Sequence, residues 1–168
     1  MDYLIRNMKK KDIPQVQHVA KTSWNATYEG IIPLGIQENF LLSAYSDKNM
    51  KSRLKHSIIY VAEAEGKIVG FANYSPITTD GKTELGAIYL YPEYQGKGIG
   101  TAFLQQGIKQ LGNVKEILLN VEKNNKIGMN FYTAKGFEVV SEFEDNFGGH
   151  ILNTVRMVLK VNKITSNS

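Results

Sequence analysis

Three glycines at alternate positions, Gly96, Gly98 and Gly100, constrain this chain more than any other feature. They lie in Tyr91-Pro92-Glu93-Tyr94-Gln95-Gly96-Lys97-Gly98-Ile99-Gly100-Thr101, between a strand-like run and a helix-like run. Ahead of the segment, Thr83–Tyr91 is rich in strand-forming residues and is stopped by Pro92. Behind it, Ile99, Phe103, Leu104, Ile108 and Leu111 line one face of a helix that Gly112 closes. Missing Cβ atoms at alternate positions let the backbone approach a ligand and let successive N–H groups point the same way. The free N–H groups and positive dipole end of a helix start complete an anion site. A turn that merely connects two elements gains nothing from three glycines, because each loses extra conformational entropy on folding.

The flanking patterns say what this turn is set into. Tyr3–Arg6 reads as a short strand. Asp12 stands where a helix cap is expected, Pro14 falls in the first turn, and Ile13, Val16, Val19 and Ala20 predict a helix over 13–23. Gly30 and Pro33 interrupt the chain, and helical spacing resumes at Ile36–Ala44 and Asp47–Leu54. Strands are predicted at Ile58–Ala62, Lys67–Ser75 and Thr83–Tyr91, with turns at Glu65-Gly66 and Asp80-Gly81. Beyond the Gly98–Leu111 helix come a strand at Glu116–Val121 and a helix at Ile127–Lys135. Strands at Phe137–Phe143 and Ile151–Val161 follow, joined through Asn146–Gly149. A meander followed by strand–helix–strand predicts an α/β (α+β) fold with a mixed, mostly antiparallel central sheet of about seven strands and helices on both faces. The 168 residues suit one domain. It is expected to span 1–162, with a loose tail at 163–168.

Two familiar phosphate loops do not fit. Gly81-Lys82-Thr83 lacks the earlier glycine of a triphosphate loop, where Pro76 stands, and is followed by a strand. A dinucleotide fingerprint would need glycine at Thr101. What fits is Gln-x-x-Gly-x-Gly, read as Gln95, Gly98 and Gly100. Here the chain resembles the GNAT superfamily of N-acetyltransferases. Its Glu84–Tyr91 strand is similar to the family's fourth strand. A second signature follows in order, Asn125-Lys126-Ile127-Gly128-Met129-Asn130-Phe131-Tyr132 and then Gly136-Phe137. Two departures stand out: Gly128 replaces the usual Ala, and Ala134 stands where a Lys is often found, with Lys135 one place along.

The resemblance implies an acyl-CoA-dependent enzyme of GNAT fold, with acetyl-coenzyme A as donor and a primary amine as acceptor. Backbone N–H groups of Gln95, Gly96, Lys97, Gly98, Ile99, Gly100 and Thr101 would hold the pyrophosphate. The strand edge at Ile88, Tyr89 and Leu90 would pair with the pantetheine amides, and an N–H at or near Ile88 would polarise the thioester carbonyl. Tyr132 is the implied general acid. A phenol is a weaker acid than a thiol, so hydrogen bonding to the developing thiolate with late proton transfer is the form expected. Glu84 is the candidate base. By the two-residue period it shares a face with Gly86, Ile88 and Leu90, and the alternative is an exposed carboxylate at a strand end. Asn125 orients cofactor or water, or caps the helix that follows.

The acceptor side falls in residues 22–45, where Trp24, Tyr28 and Glu29 are the candidate substrate residues. The Trp-x-x-x-Tyr-x-x-Ile-x-Pro pattern is similar to the branch holding polyamine and antibiotic acetyltransferases. The alternative is that these aromatics pack the first helices onto the sheet. Acetylation of a protein N-terminus or lysine, and a non-catalytic acyl-CoA sensor, are the competing functions.

Composition trims this list. The chain has no cysteine, so disulfides, thiolate metal sites and an acyl-cysteine enzyme are excluded. His18, His56 and His150 are scattered, and no metal site is expected. The net charge is +4 and only three basic residues are arginines, which suits an anionic coenzyme better than nucleic acid. A cationic acceptor would then need a pocket that is locally acidic against the overall charge. No stretch reaches the apolar length of a membrane span and no signal peptide is legible, so a cytoplasmic protein, monomer or homodimer, is expected.

Overall fold

Five strands form where apolar residues alternate or run unbroken, β2 (Ile58–Ala64), β3 (Lys67–Tyr74), β4 (Lys82–Leu90), β5 (Glu116–Glu122) and β7 (His150–Lys160), while the short β1 (Leu4–Asn7) and the largely exposed β6 (Glu138–Phe147) lie at the sheet's two edges. The helices are α1 (Ile13–Tyr28), α2 (Leu34–Ala44), α3 (Asp47–His56), α4 (Ile99–Gln110) and α5 (Lys126–Ala134). The computed structural model describes residues 2–161, so the expected tail at 163–168 and residue 162 lie outside the described residues. All seven strands join one sheet in the order β1-β2-β3-β4-β5-β7-β6. Every neighbouring pair is antiparallel except β4 and β5, which run parallel. This is the mixed sheet that the meander and the strand–helix–strand unit predict.

Helices cover both faces. Ile99, Phe103 and Leu104 of α4 pack on Val69, Leu85, Ile117, Leu119 and Met157. On the other face Val16, Val19 and Ala20 of α1 and Met50 of α3 pack on Val61, Phe71 and Ala87. A smaller cluster of Trp24, Tyr28, Ile32 and Leu152 extends this second layer toward β7.

Two local expectations change. Helix α1 runs to Tyr28 instead of stopping at residue 23, because Ser23, Trp24 and Tyr28 continue its buried face. No breaker intervenes before Gly30, whose φ of 76° leaves the helical region. Asp12 begins α1 by position, yet its side chain makes no cap bond there. Its carboxylate instead accepts from both terminal nitrogens of Arg6, at 2.7 and 3.1 Å, and from the Lys9 N–H at 2.8 Å. The guanidinium hydrogen bond holds the Asp12 carboxyl below its usual range against the opposing effect of burial.

Two features of β4 position the site. Asn73 pairs with Ala87 and Tyr74 with Leu85, so Gly86 is an extra residue bulged out of the ladder. The parallel pairing with β5 covers only Lys82–Glu84 against Glu116–Leu118, after which the two strands part. The edge of β4 that faces β5 is therefore open from Leu85 to Leu90.

Candidate active site

The fork between β4 and β5 forms a groove of about 720 Å³. One wall is the open edge Leu85–Leu90, the other comes from Asn120 and Val121 of β5 and from α5, and Thr27 and Tyr28 of α1 also line it. The glycine turn contributes Gln95, Gly96, Gly98, Gly100 and Thr101 to the lining. Gly96 and Gly98 adopt φ of 73° and 86°, a region other residues reach only with strain. Gly98 caps α4, and the first helical N–H with a backbone acceptor is that of Ala102, onto the Gly98 carbonyl at 3.0 Å. The N–H groups of Ile99, Gly100 and Thr101 belong to the unpaired first turn. A Cβ on Gly100 would stand 3.0 Å from Phe131, so glycine is also what lets α4 and α5 approach. The Ile99 side chain is fully buried in the core, leaving its backbone alone to serve the turn. Lys97 is exposed. The expected Gln95 donor is spent, its N–H bonding the Pro92 carbonyl at 3.2 Å as the chain turns after Pro92, but the rest of the turn fits a pyrophosphate: unpaired donors and a positive helix end.

The residues predicted along β4 divide by the bulge. Ile88 and Leu90 pack on the α4 face, as does Leu85 before the bulge, whereas Ala87 and Tyr89 pack toward α1. The extra residue at Gly86 reverses the alternation, so Glu84 does not share a face with Ile88 and Leu90 as a strict two-residue period predicts. The Glu84 carboxylate accepts from both terminal nitrogens of Arg156, at 2.5 and 2.8 Å, and Arg156 also donates to Asn120 Oδ1 at 3.0 Å. Glu84 is not among the residues lining the groove, although Asn120 is. The pair therefore clips β4 to β7 beneath the fork, and its hydrogen bonding raises the Arg156 pKa.

Tyr132 lines the groove, its ring set edge-on to Phe131 and Phe137 at 5.5 Å from each. Burial, with a smaller contribution from Tyr28, pushes its phenol far above the usual value. Tyr28 and Tyr89 are shifted upward chiefly by burial, and their hydroxyls lie 3.4 Å apart. These phenols remain protonated at neutral pH and offer hydrogen bonds, not charge. Asn125 lines the groove and also caps α5, its Oδ1 accepting from the Gly128 N–H at 3.0 Å. A Cβ at Gly128 would come within 2.6 Å of the Asn125 amide, which gives that glycine a reason.

On the acceptor side the three candidates part company. Tyr28 lines the groove, Glu29 lines a second cavity beyond it, and Trp24 lines neither. Trp24 is stacked between Phe40 at 4.5 Å and Phe147 at 5.9 Å, the packing alternative. Sequence reasoning missed Asn120, Asn124 and Lys126 on the groove wall, and Ser23 and Thr27 on α1. Only the i, i+4 spacing of Ser23 and Thr27 hinted at a shared small, polar face. Among the described residues no three metal-ligating side chains come together, and no helix is long and apolar enough to cross a membrane.

Comparison with known proteins agrees with this geometry. The chain is 34% identical over 149 residues to YuaI, an uncharacterized N-acetyltransferase of Bacillus subtilis strain 168, covering 85% of this chain and 83% of that protein. It is 31% identical over 147 residues to a spermidine N(1)-acetyltransferase of Thermoplasma acidophilum, covering 83% and 90% of the two chains. The crystal structure of the PaiA N-acetyltransferase of Thermoplasma acidophilum in complex with coenzyme A superposes with a TM-score of 0.83. That match has 27% identity and covers 96% of this chain and 100% of the other. Residues 21–137, from α1 through both signatures, match the acetyltransferase (GNAT) family model. The fork, the bulged strand and the glycine turn thus have the ancestry that their shape suggests, and this chain belongs to the GNAT family of N-acetyltransferases.

Proposed function

We propose that the protein transfers the acetyl group of acetyl-coenzyme A directly to a primary amine of a small molecule, a polyamine being the acceptor class best supported. One observation carries the reading: a single groove is lined by an anion-binding turn, an open strand edge and the Tyr132 phenol. Acetyl-coenzyme A supplies the acetyl thioester. The N–H groups from Gly96 to Thr101 bind the pyrophosphate, that of Gln95 being held by the Pro92 carbonyl at 3.2 Å, and Lys126 and Lys135 on the groove wall add positive charge. The free edge of β4 at Ile88, Tyr89 and Leu90 receives the pantetheine arm as an added strand, with an N–H at or near Ile88 facing the thioester carbonyl. Tyr132 donates a hydrogen bond to the departing sulfur, a role that suits a phenol held protonated.

The reacting amine must be neutral to attack. Both Glu84 carboxylate oxygens are engaged by Arg156, so Glu84 serves as a positioning residue through Arg156 and Asn120. Deprotonation falls to solvent at the groove mouth. The spermidine-acetylating relative and the carboxylate of Glu29 beyond Tyr28 support a polyamine. The test measures free thiol release with spermidine, spermine, aminoglycosides, amino acids and short peptides. Turnover strongest with linear polyamines is expected. Preference for peptides would replace the acceptor class, and acetyl-CoA binding without any turnover would replace the reaction by a sensor role.

A further inference from the structure

The second cavity has no part in the reaction as described so far. It measures about 690 Å³ and shares Ala26 with the groove, so the two meet across α1. Its walls come from the end of α1, the Gly30–Pro33 connection, the start of α2 and His150. Gln37 on this wall is 2% exposed. Its Nε2 donates to the carbonyls of Ile32 at 2.9 Å and Tyr28 at 3.3 Å. Turning the amide over would set its oxygen against two carbonyls, so the network settles the orientation. Oε1 is the atom left over, buried and with no donor opposite it. Asn25, on the same wall, also holds a buried Oδ1 with no donor.

The charges agree. Glu29 follows Asn25 by one helical turn and is exposed at the cavity, and among the residues lining it there is no lysine or arginine. The C-terminal end of α1 adds the negative end of its dipole. His150 directs Nε2 at the Ile31 carbonyl, 3.0 Å away, and so spends that N–H inside the fold. On a chain of net charge +4, this is a local concentration of unused acceptors.

We propose that this cavity is a subsite for a non-reacting ammonium group of a linear polyamine, held by the Glu29 carboxylate and Gln37 Oε1, while another amine of the same molecule reaches the groove past Ala26. An ammonium supplies three donors and one positive charge, which are what these walls lack. The inference rests on the polyamine reading above, and it adds where the second charge goes.

The test titrates the full-length protein with spermidine in the absence of coenzyme A, followed by calorimetry and by fluorescence of Trp24, the one tryptophan, next in sequence to Asn25. Saturable binding is expected, weakened about tenfold or more in Glu29→Gln and in Gln37→Leu. In turnover, KM for spermidine should rise about tenfold or more in Glu29→Gln, and KM for propylamine by less than about threefold. Gln37→Leu also loses two bonds that brace the end of α1. If it does not fold, Glu29→Gln decides alone, since that side chain is exposed. Spermidine binding unaltered in Glu29→Gln, or equal KM rises for both amines, overturns the subsite. Glu29-dependent binding without thiol release from any amine keeps the subsite and overturns the transfer reading.

Discussion

Replacing Tyr132 by Phe removes one hydroxyl and keeps the ring that packs on Phe131 and Phe137. Burial and the neighbouring Tyr28 act on this phenol, and no hydrogen-bonding side chain perturbs it among the described residues. The fold therefore loses little, less than about 0.5 kcal/mol, the range of substitutions that break no buried network. The reaction loses more. A hydrogen bond to a charged group is worth about 1.5–3 kcal/mol, and the departing sulfur gains charge only as the thioester breaks. That range corresponds to a fall in kcat of roughly 10- to 150-fold, with the KM for acetyl-CoA nearly intact. Because burial raises the phenol pKa, the hydroxyl stays protonated through the neutral and mildly alkaline range, so the loss should be constant from about pH 7 to 9. Thiol release under saturating acetyl-CoA measures kcat, and thermal unfolding checks the fold. A kcat within about twofold of wild type would remove Tyr132 from the mechanism. A ratio that vanishes on raising the pH would mean that the phenol ionises, contrary to its burial.

Asp12→Asn removes the nearer of the two carboxylates facing Arg6 and leaves Glu63, 3.6 Å away. Arg6 is 20% exposed and water replaces part of the loss, so the cost should be about 2 kcal/mol, a fall in Tm of roughly 4–8 °C. The folded carboxyl is held below its usual 3.8, so the charge stabilises the protein fully above that value. Its contribution disappears as pH falls through the lower folded value, and the gap between wild type and variant in urea melts should close there. Glu84→Gln should cost about 1 kcal/mol, since the pair is partly exposed, and should leave the shape of the pH–rate profile unaltered. Loss of the profile's acidic limb would restore Glu84 as the base. Gly98→Ala meets only the Tyr3 hydroxyl at 3.8 Å, so its cost is backbone strain at φ 86°, about 1–2 kcal/mol. The KM for acetyl-CoA should rise about tenfold or more, read by initial rates. An unchanged KM would separate this turn from the cofactor.

The groove was more legible than its surroundings. Gln95, Gly98, Gly100 and Tyr132 sit in local motifs whose spacing carries the chemistry, and the fold brings them to one groove. The face of Glu84 was misread because one extra residue at Gly86 shifts the strand's phase, and a bulge shows only in pairing with β3. The end of α1 was cut short because Asn25 and Thr27 are weak helix formers, and burial of Trp24 and Tyr28 outweighs that preference. The Gln37 acceptor could not be read at all, since its significance depends on two carbonyls, Tyr28 and Ile32, that reach it only through the turn after α1.

The sequence by itself determined the order of strands and helices, the conformation of the glycine turn and the absence of any cysteine chemistry. Each of these depends on neighbours a few residues apart, or on composition. Only the tertiary structure decided where β4 leaves β5, that Arg156 claims Glu84, and that a donor-poor cavity adjoins the groove. Those outcomes depend on strand pairing and on which buried polar atoms find partners. Contacts of that kind join residues distant in sequence, and no local pattern encodes them.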